Sequence, residues 1–130
     1  MFRLKPMFSF YGSKYRIMGR YPRPFCERII EPFAGGASYS LAFPWKDVAL
    51  YDVDPTICGV WDYLISAPEA ETLSLPLLSS GQSVDDLVGV APEARALIGF
   101  WLNKAKSSPA KTPGSWMRKA LATGKGTSQF

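Results

Sequence analysis

The chain has 130 residues, 47% hydrophobic and 20% charged, with a net charge of +4; this allows one small domain, or one and the beginning of another, and excludes disordered and fibrous architectures. Histidine is absent, so histidine general bases, Ser-His-Asp and Cys-His nucleophiles and imidazole metal sites are excluded. The two cysteines, Cys26 and Cys58, lie far apart and outside any CxxC spacing, which excludes a zinc site or disulfide framework and predicts two buried, reduced thiols.

Along the chain, no apolar run approaches the ~18 residues of a membrane span, and Arg3, Lys5 and Pro6 break the N-terminal stretch as a signal-peptide core. The expectation is a soluble, cytoplasmic protein with no membrane or metal partner. The segment FCERIIEPF carries a short apolar run, Ile29-Ile30, before an acid, a proline and a Gly-Gly pair, which predicts a buried strand ending in a tight turn. ASYSLAF follows as a helix that Pro44 stops, and DVALYD as a second strand with Asp52 and Asp54 at its end. Pro55 suits the first turn of the next helix, with Asp54 as its N-cap. In that helix Ile57, Val60, Trp61, Leu64 and Ile65 recur on one face, predicted to pack on the sheet.

From Ala67 onward prolines punctuate shorter pieces. Ser83 and Asp86 have capping-box spacing, and Pro92 opens a helix predicted to run to about Lys106, with Leu97, Ile98, Trp101, Leu102 and Ala105 as its apolar stripe. WMRKALA is a final amphipathic stretch before a flexible GKGTSQF. The boundary between a sheet half and a helical half falls near residue 66.

Charge divides into three blocks. Residues 1–28 hold seven bases and one acid, residues 29–99 two bases and ten acids, and residues 100–130 six bases and no acid. Basic ends around an acidic middle suit a polyanion held by the ends.

Strand, glycine turn, helix, strand and acid within about 25 residues is the opening of a nucleotide-binding sheet, where a carboxylate after the second strand reaches ribose hydroxyls. Gly35 and Gly36 would leave room for a ligand beside the backbone. The spacing is neither GxGxxG nor a P-loop, and Gly124-Lys125-Gly126 lacks the upstream glycine and the adjacent hydroxyl.

Three segments, PMFSFYGSKYRI, IIEPFAGGASYSLAF and ALYDVDPTICGVW, together resemble the opening of the DNA adenine methylase (Dam) family, the S-adenosylmethionine-dependent N6-adenine methyltransferases of the D12 class. The resemblance covers about residues 5–66. It implies an α/β fold: a Rossmann-like S-adenosylmethionine-dependent methyltransferase sheet, incomplete in this chain, followed by a mainly helical segment. Residues 1–66 would be the cofactor-binding part and 67–130 the start of the DNA target-recognition region. The family's aromatic-lysine signature falls on Phe10 and Lys14, with Tyr11, Gly12 and Ser13 between them, closing over the cofactor's methionine end. Its acid-glycine turn falls on Glu31, Phe33, Ala34, Gly35 and Gly36, with Glu31 near the cofactor's ammonium and sulfonium charges. Its ribose acid falls on Asp52, with Tyr51 and Asp54 where the family has asparagines, and Asp54 as helix cap. Lys104, Lys106, Lys111, Arg118 and Lys119 would contact phosphates of double-stranded DNA, and Trp116 would be core.

The family's D/N-P-P-Y/F/W catalytic motif is absent from the 130 residues; Asp54-Pro55-Thr56 fails at the second proline and the aromatic. The expectation is therefore an N-terminal, cofactor-binding portion without a catalytic residue, by truncation or a split gene, whose partner is the missing C-terminal half. GKGTSQF, a poor closing element for the helix before it, favours that reading. It predicts an exposed sheet edge. The competing expectation is a free-standing, non-catalytic S-adenosylmethionine or DNA-binding module of phage type. A Rossmann dehydrogenase is the third, weakened by its glycine spacing.

Overall fold

The structure, a computed structural model, describes residues 4–123; GKGTSQF, with Lys125, lies outside the described residues. Two four-residue strands, β1 (Arg28–Glu31) and β2 (Asp47–Leu50), pair in parallel with Arg28 opposite Asp47 and Glu31 opposite Leu50. The ladder extends at both ends, where Asp47 N–H donates to Glu27 C=O at 3.1 Å and Tyr51 N–H to Glu31 C=O at 2.8 Å. Between the strands lies α1 (Ser38–Ala42); Phe43 leaves the helical region before Pro44, as a residue preceding proline should. Ile29 and Val48 share a face and pack with Met18, Ala42 and Phe43.

Ile30 departs from expectation. It points the other way and is 62% exposed, so β1 buries one face rather than both. The backbone amides and carbonyls of Arg28 and Ile30 alternate away from β2.

The next helix, α2 (Pro55–Ser66), starts as its sequence dictates: Asp54 Oδ1 accepts from Thr56 N–H at 2.9 Å, and Pro55 fills the first turn, where no N–H is needed. Its apolar face buries Ile57, Val60 and Trp61, leaving Ile65 74% exposed. That face packs chiefly against α4 (Pro92–Trp101), not the sheet. Phe8, Ala37, Ile57, Val60, Trp61, Tyr63, Ala94, Leu97 and Phe100 form one cluster, which Leu50 joins from β2. The core thus draws residues from both sides of position 66.

Between these helices, α3 (Glu69–Leu73) supplies Glu71, whose Oε1 accepts from Tyr63 Oη at 3.0 Å. Ser83 and Asp86 form the expected capping box, around a single turn of 3₁₀ helix. The helix α4 ends at Trp101, five residues short of its expected end. Residues 109–110 return against Gly99, and Ala110 N–H donates to Gly99 C=O at 3.1 Å. Leu97, Ile98 and Leu102 are buried, but Ala105 is exposed and adopts φ 52°, outside the helix. The last helix, α5 (Ser115–Ala122), buries Met117. No described helix is long and apolar enough to cross a membrane.

Both cysteines are exposed, contrary to the expected burial. Cys26 lies in the open stretch before β1, and Cys58 faces away from the α2–α4 contact, its Sγ donating to Asp52 C=O at 3.3 Å.

Two outcomes test this packing. A Cβ on Gly99 would stand 2.6 Å from the Ala110 carbonyl oxygen and 2.7 Å from Pro109 Cβ, so Gly99→Ala is expected to destabilise the chain by about 1–3 kcal/mol in urea unfolding. Burial first, then the hydrogen bond and charge of Glu71, raise the Tyr63 pKa above its ordinary value of 10.0. A raised pKa in the folded state stabilises fully below pH 10 and is lost as pH rises through the folded value. Wild type should therefore lose stability above pH 10.0 more steeply than Tyr63→Phe, read from denaturation midpoints.

Candidate functional site

The carboxyl ends of two parallel strands point the same way, and the chain that leaves them forms a cleft. After β1 the backbone turns through Gly35, at φ +47°, and Ala37, at φ 49°. Three contacts hold the turn: Ala34 N–H donates to Tyr51 C=O at 2.9 Å, Gly35 N–H to Asp52 Oδ2 at 2.9 Å, and Trp61 Nε1–H to Gly35 C=O at 2.7 Å. A Cβ at Gly35 would lie 3.1 Å from the Phe10 ring. Positive φ and this ring together explain the glycine.

The cleft encloses about 230 Å³ between two walls. Ala34, Gly35, Gly36 and Ser38 make one; Phe10, Gly12, Ser13 and Lys14 make the other; Phe33 and Asp52 complete the lining. The walls touch through Ser13 Oγ and Ser38 Oγ, 3.0 Å apart, and through Lys14 Nζ, which donates to Phe33 C=O at 2.9 Å. Seven of the nine residues expected from the sequence, Phe10, Lys14, Phe33, Ala34, Gly35, Gly36 and Asp52, meet here although they come from three separate segments.

Asp52 is the carboxylate of the cleft. Its Oδ1 accepts from Asp54 N–H at 2.9 Å and its Oδ2 from Gly35 N–H. Each oxygen thereby uses one of about two lone-pair positions, leaving capacity for further donors. Lys14 is the cation, and Phe10 and Phe33 are aromatic surfaces, the latter 72% exposed. Such a set suits a ligand with hydroxyl donors at one end, an anionic group at the other and a flat ring or apolar body between.

Two expected residues lie elsewhere. Tyr11 is exposed and lines a larger neighbouring cleft. Glu31 is buried at 6% exposure, and its Oε2 accepts from Ser40 N–H at 3.1 Å and Ser40 Oγ at 2.6 Å. The N-cap position of α1 is Ala37, which has no capping side chain, so Glu31 caps the helix from β1, where a negative charge also suits the N-terminal dipole. With Tyr21 and Tyr39, Glu31 lines an adjoining pocket of about 290 Å³ that shares Lys14 and Phe33 with the cleft. Burial, then the Glu31 charge, raise the Tyr39 pKa.

The hydroxyl pair Ser13–Ser38 and the clamp from Trp61 were not legible. Ser13 lies inside the aromatic-lysine segment, but Ser38 and Trp61 have no local signal that distinguishes a contact with the turn from ordinary helix or core positions.

The five basic residues expected to meet DNA divide. Lys111 pairs with Asp85 at 2.7 Å, and Arg118 donates to Pro113 C=O at 2.9 Å. Lys104 Nζ sits 4.8 Å from the Trp116 ring centre, while Lys106 and Lys119 are exposed and make no ion pair among the described residues. Trp116 is half-buried and lines the larger cleft, not the interior. Among the described residues no three His, Cys, Asp or Glu side chains gather as a metal site would require.

Compared with protein-family models, curated proteins and solved structures, the chain matches none.

Replacing Glu31 tests its capping role. Glu31→Ala strands two buried donors of Ser40 and should cost about 2–3 kcal/mol of unfolding free energy, measured by chemical denaturation.

Proposed function

We propose that the chain is the S-adenosylmethionine-binding portion of a DNA adenine-N6 methyltransferase, with a Rossmann-like sheet of which β1, α1 and β2 are the first unit. The observation that carries the reading is the position of Asp52. It follows β2 at the carboxyl end of a parallel pair and faces the Gly35–Gly36 turn, in a cleft that Phe10 and Lys14 close from outside.

In this reading the free acceptor positions of Asp52 receive the two ribose hydroxyls, and the Lys14 ammonium meets the methionine carboxylate in a charge-assisted hydrogen bond. Phe10 and Phe33 exclude water from the body of the ligand. When bound, the cofactor supplies a methyl group activated by its sulfonium. Glu31 supports the turn through Ser40 with its Oε2, and its Oε1 keeps acceptor capacity for the cofactor's ammonium. With no D-P-P-Y strand in the sequence, these residues bind and orient, and acceptance of the adenine N6 protons requires groups from outside them. Residues 67–130 would then begin the DNA-recognition part, with DNA and the catalytic half as partners.

Calorimetric titration with S-adenosylmethionine tests the reading. Wild type should bind below about 1 mM. Asp52→Ala, which removes two hydroxyl contacts of about 1.5–3 kcal/mol in all, should bind about 10- to 100-fold more weakly. Because Asp52 also holds Gly35, Lys14→Met is the second variant: among the described residues the Lys14 ammonium hydrogen-bonds only to the exposed Phe33 carbonyl, so weaker binding with an unchanged melting temperature reports the ligand and not the fold. Wild type that fails to bind, or equal affinity in both variants, removes the cofactor assignment.

A further inference from the structure

We propose that the larger cleft beside the cofactor site is a channel for single-stranded DNA. It encloses about 680 Å³ and is built where residues 7–11 meet residues 101–106. Three hydrogen bonds join them: Trp101 Nε1–H to Met7 C=O at 2.9 Å, Ala105 N–H to Ser9 Oγ at 2.8 Å, and Tyr11 N–H to Lys106 C=O at 3.1 Å. This seam brings Lys5 and Arg16 from the N-terminal basic block to the same cleft as Lys104 from the C-terminal one. None of the described residues that line it is acidic, so the field there favours a polyanion, and three cations over one short cleft suit successive phosphates.

Aromatic lining selects the form of the polyanion. Tyr11 and Trp116 line the cleft with the cations, and a ring can stack on a base only when that base is unpaired. A duplex would offer phosphates and groove edges but hide its base faces. Trp116 already holds the Lys104 ammonium at 4.8 Å. An exposed contact of this kind contributes little compared with base stacking, so a base can take the ring while Lys104 turns to a phosphate. Asn103, also on the lining, offers an amide that can both donate and accept at a base edge. The volume lies within the range of small-molecule sites, which suits one or two nucleotides rather than a helix. Phe10, Gly12 and Ser13 line both this cleft and the candidate cofactor cleft, so a base seated here lies next to that site. The choice of DNA over RNA rests on the reading under Proposed function; the charge and aromatic arguments do not.

Fluorescence anisotropy with a labelled oligothymidylate tests the channel on the full chain. Wild type should bind at low salt, bind a duplex of equal length more weakly, and lose affinity steeply as salt rises. Lys5→Glu, Arg16→Glu and Lys104→Glu should each weaken binding at least threefold, whereas Lys119→Glu, outside the cleft, should change it less than twofold, in proportion to phosphates contacted. Trp116→Ala should weaken binding about tenfold, and Trp116→Phe, which keeps a ring, should restore most of it. Circular dichroism on each variant excludes unfolding as the cause, and the three charge reversals, at exposed positions, carry the test where Trp116→Ala fails to fold. An effect of Lys119→Glu equal to the cleft reversals, or tighter binding of duplex that the reversals leave unchanged, would overturn the channel. So would S-adenosylmethionine binding with no oligothymidylate binding at low salt. Oligothymidylate binding that obeys the variant pattern, without S-adenosylmethionine binding, would support the channel while removing the methyltransferase reading.

Discussion

The architecture depends on one short segment, residues 7–11, being anchored across the molecule. Phe8 is 2% exposed, its ring 5.7 Å from Trp61 and 5.1 Å from Phe100, so burial of a single aromatic joins α2 and α4 to the chain's beginning. Burying such a ring contributes about 1.5–3 kcal/mol. That anchor places Phe10 over Gly35 on one side and against Phe100, at 5.9 Å, on the other. Both clefts have Phe10 as a common lining residue. Neither would exist if the segment lay elsewhere.

The acidic middle block largely serves the fold. Asp54 and Asp86 cap helical turns, Glu31 caps α1, Glu71 accepts from Tyr63, and Asp47 and Asp85 pair with Arg28 and Lys111. The two ion pairs are exposed and contribute at most about 1 kcal/mol each, but they neutralise charge near basic residues. Asp52 also does structural work, yet its carboxylate retains lone-pair capacity and faces a cleft. Lys5 and Arg16 from the first basic block and Lys104 from the second line one cleft.

Features encoded by neighbours in sequence were legible. Asp54 with Pro55, and Ser83 with Asp86, needed only a few residues to declare a helix start, because capping is a local hydrogen bond. The glycine turn and the acid after β2 were legible as a pattern, and the aromatic-lysine segment that only the family resemblance joined to them lines the same cleft. What failed was set by distant chain. The end of α4 depends on residues 109–110 packing on Gly99, which no periodicity within the helix records. Ile30 and Ile65 look like core residues, yet no element among the described residues covers them; hydrophobicity states a preference for burial without supplying a partner. The cysteines erred for the same reason, and the capping of α1 by Glu31 had no local signal because it crosses from β1 to a helix whose own N-cap position, Ala37, carries no capping side chain.

The wall shared by the two clefts has a thermodynamic consequence. Gly12 adopts φ +75° with open space where a Cβ would stand, and with Phe10 and Ser13 it faces both volumes as one wall. An occupant that shifts it in either cleft changes the shape presented to the other. Linkage then makes the effect reciprocal: the factor by which one ligand alters the second's affinity equals the factor read in the opposite direction. Three residues near the beginning of the chain would thereby couple the two clefts whenever both are occupied.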